Sequence, residues 1–154
     1  MFDFSRFSFG ATSAITSSLA LLIGLNQLEV SRIGVIGALL VLGLADNIAD
    51  SLGMHVYSES KSKTHTKLST ATNYLTRLAI TLAIIVFVIF LPISYAIAAS
   101  VIVGMAVLAV LSYFIAKDRS LNPGRSVAEH LAVAVLVLVV SQLVSASIKS
   151  LFHN

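Results

Sequence analysis

The sequence predicts an all-α membrane protein, a five-transmembrane-helix bundle, and three observations predict it. Of the 154 residues, 57% are hydrophobic and only 11% charged, against roughly 25% charged in ordinary soluble domains. The apolar residues fall into long runs, each close to the ~20 residues a spanning helix needs. The Lys and Arg residues gather on one side of those runs. So little charge cannot furnish a water-facing surface. The chain has no cysteine, so neither a disulfide framework nor a thiolate metal site is expected.

Taken in order, the first span is expected at about 9–25, closed by Asn26, Gln27 and Glu29. Arg6 ahead of an apolar stretch also fits a signal peptide. However, Thr12, Ser13, Thr16, Ser17 and Ser18 interrupt that stretch and no cleavage site stands out, so it is read as a retained span. The second span, about 33–57, carries two acids, and the polar stretch 58–72, rich in Ser, Thr and Lys, is expected as a loop. The third span is expected at about 73–91, where Pro92, with Ser94 and Tyr95, divides a run long enough for two spans. The fourth follows at about 96–116 and then a polar segment, 117–125, in which Asn122 and Pro123 suit an N-cap and first helical position. The fifth span is expected at about 127–148. The chain reads as a single transmembrane domain, with no fixed-period repeat and no low-complexity segment.

Five spans with the N-terminus inside place Arg6, Lys61, Lys63, Lys67, Arg77, Lys117, Arg119 and Arg125 on the inner side, and Arg32 and Lys149 on the outer. Eight bases against two is the bias that the positive-inside rule demands, and it puts the N-terminus in the cytoplasm and the C-terminus on the opposite side. Arg77, in the first turns of the third span, is expected to snorkel to the inner interface.

The chemistry is concentrated in the second span. At 100° per residue, Gly43, Asp46, Asn47, Asp50, Met54 and Tyr57 share an arc of about 100°, with Val41, Leu44, Ile48, Leu52 and His55 on the other side. An ionised Asp at the bilayer centre costs about 2.5–3.5 kcal/mol, so these acids must face protein, water or a cation. One alternative is that both pair with Arg or backbone donors inside the bundle, where few bases are expected at that depth. The other is a functional face whose oxygen ligands suit hard or borderline divalent metals, with the Met54 thioether adding softness. On the first span, Thr12, Ser13, Thr16, Ser17, Ala20 and Gly24 form a small, hydroxyl-bearing face that suits either close helix packing or a path lining. Ala96, Ser100 and Gly104 on the fourth span read as packing. Glu59 and Glu129 lie where an inner mouth would be, Glu129 also suiting a helix start. No paired His at zinc spacing, no GxSxG and no phosphate loop appears, so no enzyme is expected. The short Lys cluster is explained by orientation, so no nucleic-acid partner is expected.

The segment from Gly43 to Met54, running into Tyr57-Ser58-Glu59-Ser60-Lys61, resembles the second helix of the vacuolar iron transporter family. The stretch from Phe9 to Leu25 is similar to that family's first helix, and Leu111 to Leu151 to its last two. The resemblance implies a homodimer of five-helix protomers that moves Fe²⁺ or Mn²⁺ across a membrane, coupled to protons, along a path lined by the first and second helices. Carried over residue by residue, it implicates Asp46, Asp50 and Met54; the metal would be cargo, with no cofactor bound. The chain departs from the family in two places. The first helix has Gly10-Ala11-Thr12-Ser13-Ala14 where the family carries an acid. The loop after the second helix is short, with Glu59 its one acid, in place of a Glu-rich cytosolic insertion. Two other readings stay open: a non-transporting membrane scaffold that keeps the fold, and a transporter of another solute with Thr12, Ser13 and Thr16 in place of the missing acid.

Overall fold

A computed structural model describes residues 5–60 and 66–152, with side chains described except at 5–7, 54, 58–60 and 66–69. Among these residues the chain is all helical: α1 (Ser5–Gln27), α2 (Arg32–Val41), α3 (Asn47–Ser60), α4 (Thr66–Phe90), α5 (Ile93–Asp118) and α6 (Pro123–Phe152). A π-helical segment, Leu42–Asp46, joins α2 to α3 without a break. Five stretches are long and apolar enough to cross a membrane: Ser8–Gln27, Arg32–Tyr57, Thr70–Phe90, Ile93–Asp118 and Pro123–Phe152. Each matches one expected span, and α2, the π segment and α3 together make the second.

The helix ends follow from local chemistry. Both α1 and α5 close in Schellman motifs, with Val30 N–H on Leu25 O (3.1 Å) and Leu121 N–H on Ala116 O (2.9 Å). Their reversing residues, Glu29 (φ 57°) and Ser120 (φ 55°), hold the left-handed conformation that such caps require. Pro92 precedes α5 and lets α4 go no further. The Asn122 carboxamide oxygen accepts from Arg125 N–H at 3.2 Å, with Pro123 as the first residue of α6, as the sequence suggests. Two helix ends reach into the expected loop. Residues 58–60 close α3, and residues 66–72 are the opening turns of α4. No Gly or Pro breaks that stretch, and weak Ser and Thr propensities yield to the helix that follows.

α1 lies at the centre, packed against α2, α4, α5 and α6. Ile15, Leu19 and Leu22 of α1 meet Leu39, Val88 and Leu108 in the buried core. Small residues let the helices approach closely. On α5, the buried residues Ala96, Ser100, Gly104, Leu108, Ser112 and Ala116 recur every fourth position, the packing face expected for the first three. A Cβ on Gly104 would lie 3.0 Å from Leu19, and one on Gly24 2.9 Å from both Ser141 Oγ and Ser145 Oγ. The outward faces carry large exposed apolar side chains, among them Ile48, Ile102, Leu136 and Leu143. An apolar exterior of this extent suits lipid contact rather than water.

Charge sorts to the two ends. At the end opposite the basic one, Lys149 pairs with Glu29 at 2.5 Å. Arg32 donates to Leu91 O at 3.2 Å, at the C-terminus of α4. Arg77 departs from expectation. It does not reach the basic end but is 2% exposed inside the bundle, so the sequence bias, without it, stands at seven bases against two.

Candidate functional site

The site is built where the second span crosses α4. A π turn bonds each N–H to a carbonyl five residues back, so the widened segment leaves a carbonyl for another donor. Here Asn47 Nδ2 takes Gly43 O at 2.7 Å. Gly43, Asn47 and Ser51, four residues apart, face inward and are all buried. Gly43 lies against Thr81, its Cβ position 3.0 Å from the Thr81 methyl. Asp46 and Asp50 flank that inward line.

From α4, Arg77 enters between them. Its Nη2 donates to Asp46 Oδ2 at 2.7 Å, and its Nη1 lies 2.5 Å from Asp50 Oδ2 in an ion pair. Nη1 also donates to Ser13 Oγ of α1, and Nε to Asn47 Oδ1. Three of the five guanidinium N–H bonds are thereby directed at named acceptors, and the Asp50 carboxylate adds an ion pair. This is why Arg77 stays at depth: no interface position offers two carboxylates, an amide and a hydroxyl at once. The expectation that few bases could reach the acids is corrected by the same geometry. At 1.5 Å per residue, Arg77 lies about 10 Å along its span from Thr70, and Asp50 about 10 Å from Tyr57.

The electrostatics are unequal. One guanidinium faces two carboxylates, a formal charge of −1. The guanidinium is enclosed, whereas the carboxylate side chains keep 47% (Asp46) and 38% (Asp50) of their surface. Each carboxylate engages Arg77 through Oδ2, so Oδ1 lies outside the ion pair. The exposed edge of this cluster is therefore acidic.

Of the other residues singled out from the sequence, Asn47 and Ser13 join the cluster. Thr12 and Thr16 do not: the Thr16 hydroxyl donates to Thr12 O at 2.8 Å within its own helix. Tyr57 is exposed, about 10 Å along the helix from Asp50. The side chains of Met54 and Glu59 lie outside the described residues; their backbones belong to α3. Glu129 pairs with Arg125 at 2.7 Å, one turn away on α6. It also borders a cavity of 590 Å³ at the basic end, shared by Thr12, Ser13, Ser112 and His130. There the Ser112 hydroxyl donates to Leu108 O at 2.7 Å, so it accepts from His130 Nδ1–H at 2.8 Å. The small face of α1 serves packing at one end and lines a groove farther along. Gly24 packs on α6, while Ser17 and Ala20 floor an open groove of 410 Å³ between Leu42 and Ser141.

Sequence reasoning missed Arg77 as the acids' partner, and with it Asn73, Thr81, Ser18 and Ser51. Asn73, Arg77 and Thr81 recur every fourth residue on the third span, and that polar stripe was the available signal. Ser18 and Thr81 hydroxyls meet at 3.2 Å, all within the bundle. Among the described residues, no group of three or more His, Cys, Asp or Glu is placed to hold a metal ion. Comparison with protein-family models, curated proteins and solved structures finds no match for the chain.

Proposed function

We propose that this chain is an integral membrane protein that carries a divalent cation, Fe²⁺ or Mn²⁺, across a bilayer, with the exposed edge of the Asp46–Asp50 pair as its intramembrane binding site. The observation that carries this reading is the charge imbalance at depth. Two half-exposed carboxylates share one buried guanidinium, and the missing positive charge is what a cation supplies. Lipid is a poor neighbour for that edge. Two protomers related by a two-fold axis, with these faces toward each other, would give the cations a path bounded by protein. The N-terminus is cytoplasmic and the C-terminus lies across the membrane, on the seven-to-two charge bias.

A second reading, a membrane scaffold that transports nothing, is favoured by one feature: Arg77 already pairs with both acids. Metal uptake separates the two readings. Protein reconstituted into liposomes containing a metal-sensitive dye should admit Mn²⁺ and Fe²⁺ well above the rate of protein-free liposomes under an inward gradient. Rates equal to the protein-free control would leave the scaffold.

A further inference from the structure

Three buried polar atoms close to Arg77 lack a hydrogen-bond partner: Nδ2 and Oδ1 of Asn73 and Oγ of Ser51. Asn73 is 0% exposed. Buried polar groups left unsatisfied are rare and call for a cause. Their position follows from helix register. The second span and α4 run antiparallel, with Gly43 against Thr81 and Asn47 against Arg77. The next step, four residues onward on one helix and four back on the other, sets Ser51 against Asn73. α1 contributes Gly10 to this layer. A Cβ there would come 2.6 Å from Asn73 Oδ1 and 3.3 Å from Arg77 Cγ. The Asn73 amide and the Arg77 stem thus share one enclosure. Long side chains on a helix lean toward its N-terminus, over the residue four positions back. For Arg77 that residue is Asn73.

We infer that this layer is a second berth for the Arg77 guanidinium, and that its transfer there opens Asp46 and Asp50 to a divalent cation. In the observed position Arg77 holds both carboxylates and leaves the berth's acceptors unmet. In the second, the guanidinium donates to Asn73 Oδ1 and Ser51 Oγ, neutral acceptors that take a cation's hydrogen bonds without adding charge. The two carboxylates then stand free with a formal charge of −2, which one divalent ion neutralises. This inference rests on reading the acid pair as a cation site, and adds a tethered cation that competes with the cargo. Affinity is then reduced by the fraction of time Arg77 spends on the acids. Moderate affinity is what a conducting site needs in order to release its ion.

The test is Mn²⁺ binding to the purified full chain in detergent, read from the electron paramagnetic resonance signal of the free aqua ion. Asn73→Leu removes the berth but keeps Arg77 and both acids, and it should bind Mn²⁺ at least about tenfold more weakly than the parent. Arg77→Gln should bind at least about tenfold more tightly, and lose that gain when Asp46→Asn and Asp50→Asn are added. In the Arg77→Gln background Asn73→Leu should change nothing, because the berth acts only through Arg77. If Arg77→Gln does not fold, Arg77→Lys replaces it. A lysine point charge reaches one carboxylate at a time, so its affinity should exceed the parent's. Parent-like affinity in Asn73→Leu, with binding still dependent on the acids, overturns the berth and leaves the cation reading intact; a layer that merely holds buried water gives this result. So does a position-77 variant that binds no better than the parent. Parent binding that survives Asp46→Asn/Asp50→Asn removes the cation reading itself.

Discussion

Arg77→Leu should destabilise the bundle severely, and the loss should be recovered by removing the acids. Deleting one partner of a buried ion pair costs about 3–5 kcal/mol, because a charge is left uncompensated. Two features of this cluster adjust that range. Asp46 and Asp50 keep 47% and 38% of their side-chain surface, so the stranded carboxylates retain part of their hydration and the cost falls. Asn47 Oδ1 is buried and loses its donor, which restores about 1–3 kcal/mol. The net expectation is a loss of about 3 kcal/mol. In the triple variant Arg77→Leu/Asp46→Asn/Asp50→Asn no charge is left alone, and stability should return to within about 1 kcal/mol of the parent. Equilibrium unfolding in mixed micelles of rising SDS content, followed by far-ultraviolet circular dichroism, measures both. A single variant within about 0.5 kcal/mol of the parent, the range of surface substitutions, would refute the energetic reasoning. A triple variant no more stable than the single would refute the coupling.

Three further outcomes are expected. Cysteines introduced by Ser60→Cys and Asn154→Cys should react with an impermeant thiol reagent from opposite faces of the membrane; labelling of both from one face contradicts the five-span topology. Each acid pair takes one divalent ion once Arg77 has left it, so equilibrium dialysis should saturate at one bound Mn²⁺ per chain, and a chain that stays monomeric in mild detergent while transporting contradicts the shared path. Gly24→Val should cost about 1–3 kcal/mol by forcing α1 from Ser141 and Ser145. Gly37→Ala, with nothing within 4 Å of its Cβ position, should be neutral or gain up to about 1 kcal/mol. Equal effects at the two glycines would contradict the α1–α6 contact.

The helices were legible because their signals are local. Pro92 and the Asn122-Pro123 pair set boundaries through backbone constraints that act within a residue or two, and the Ala96, Ser100 and Gly104 stripe is a periodicity within one helix. Asp46, Asn47 and Asp50 could be placed together for the same reason. What could not be read was what they face. An arc drawn at 100° per residue assumes a regular helix, whereas Leu42–Asp46 is wound as a π segment, and no residue in Leu-Gly-Leu-Ala-Asp announces it. Gly43, Asn47 and Ser51 face α4, and the acids lie at the flanks. Arg77 was placed by its distance from the chain's polar loop, which favours snorkelling. Its real position is set by four partners on α1, the π segment and α3, a tertiary fact that local spacing does not encode. The opening turns of α4 have the Ser and Thr content of a loop but no helix breaker, and the helix that follows decides their conformation.

The most direct test of the acid pair as a cation path is flux through the double variant Asp46→Asn/Asp50→Asn. Asparagine keeps the shape and removes the charge, and Arg77 retains carbonyl acceptors, so the chain should still assemble. Parent and variant are reconstituted at equal density in liposomes holding a metal-sensitive dye, and Mn²⁺ and Fe²⁺ entry is followed. Entry should fall to the protein-free rate in the variant and stay well above it in the parent. A double variant that carries either metal as fast as the parent would mean that Asp46 and Asp50 serve only to hold Arg77.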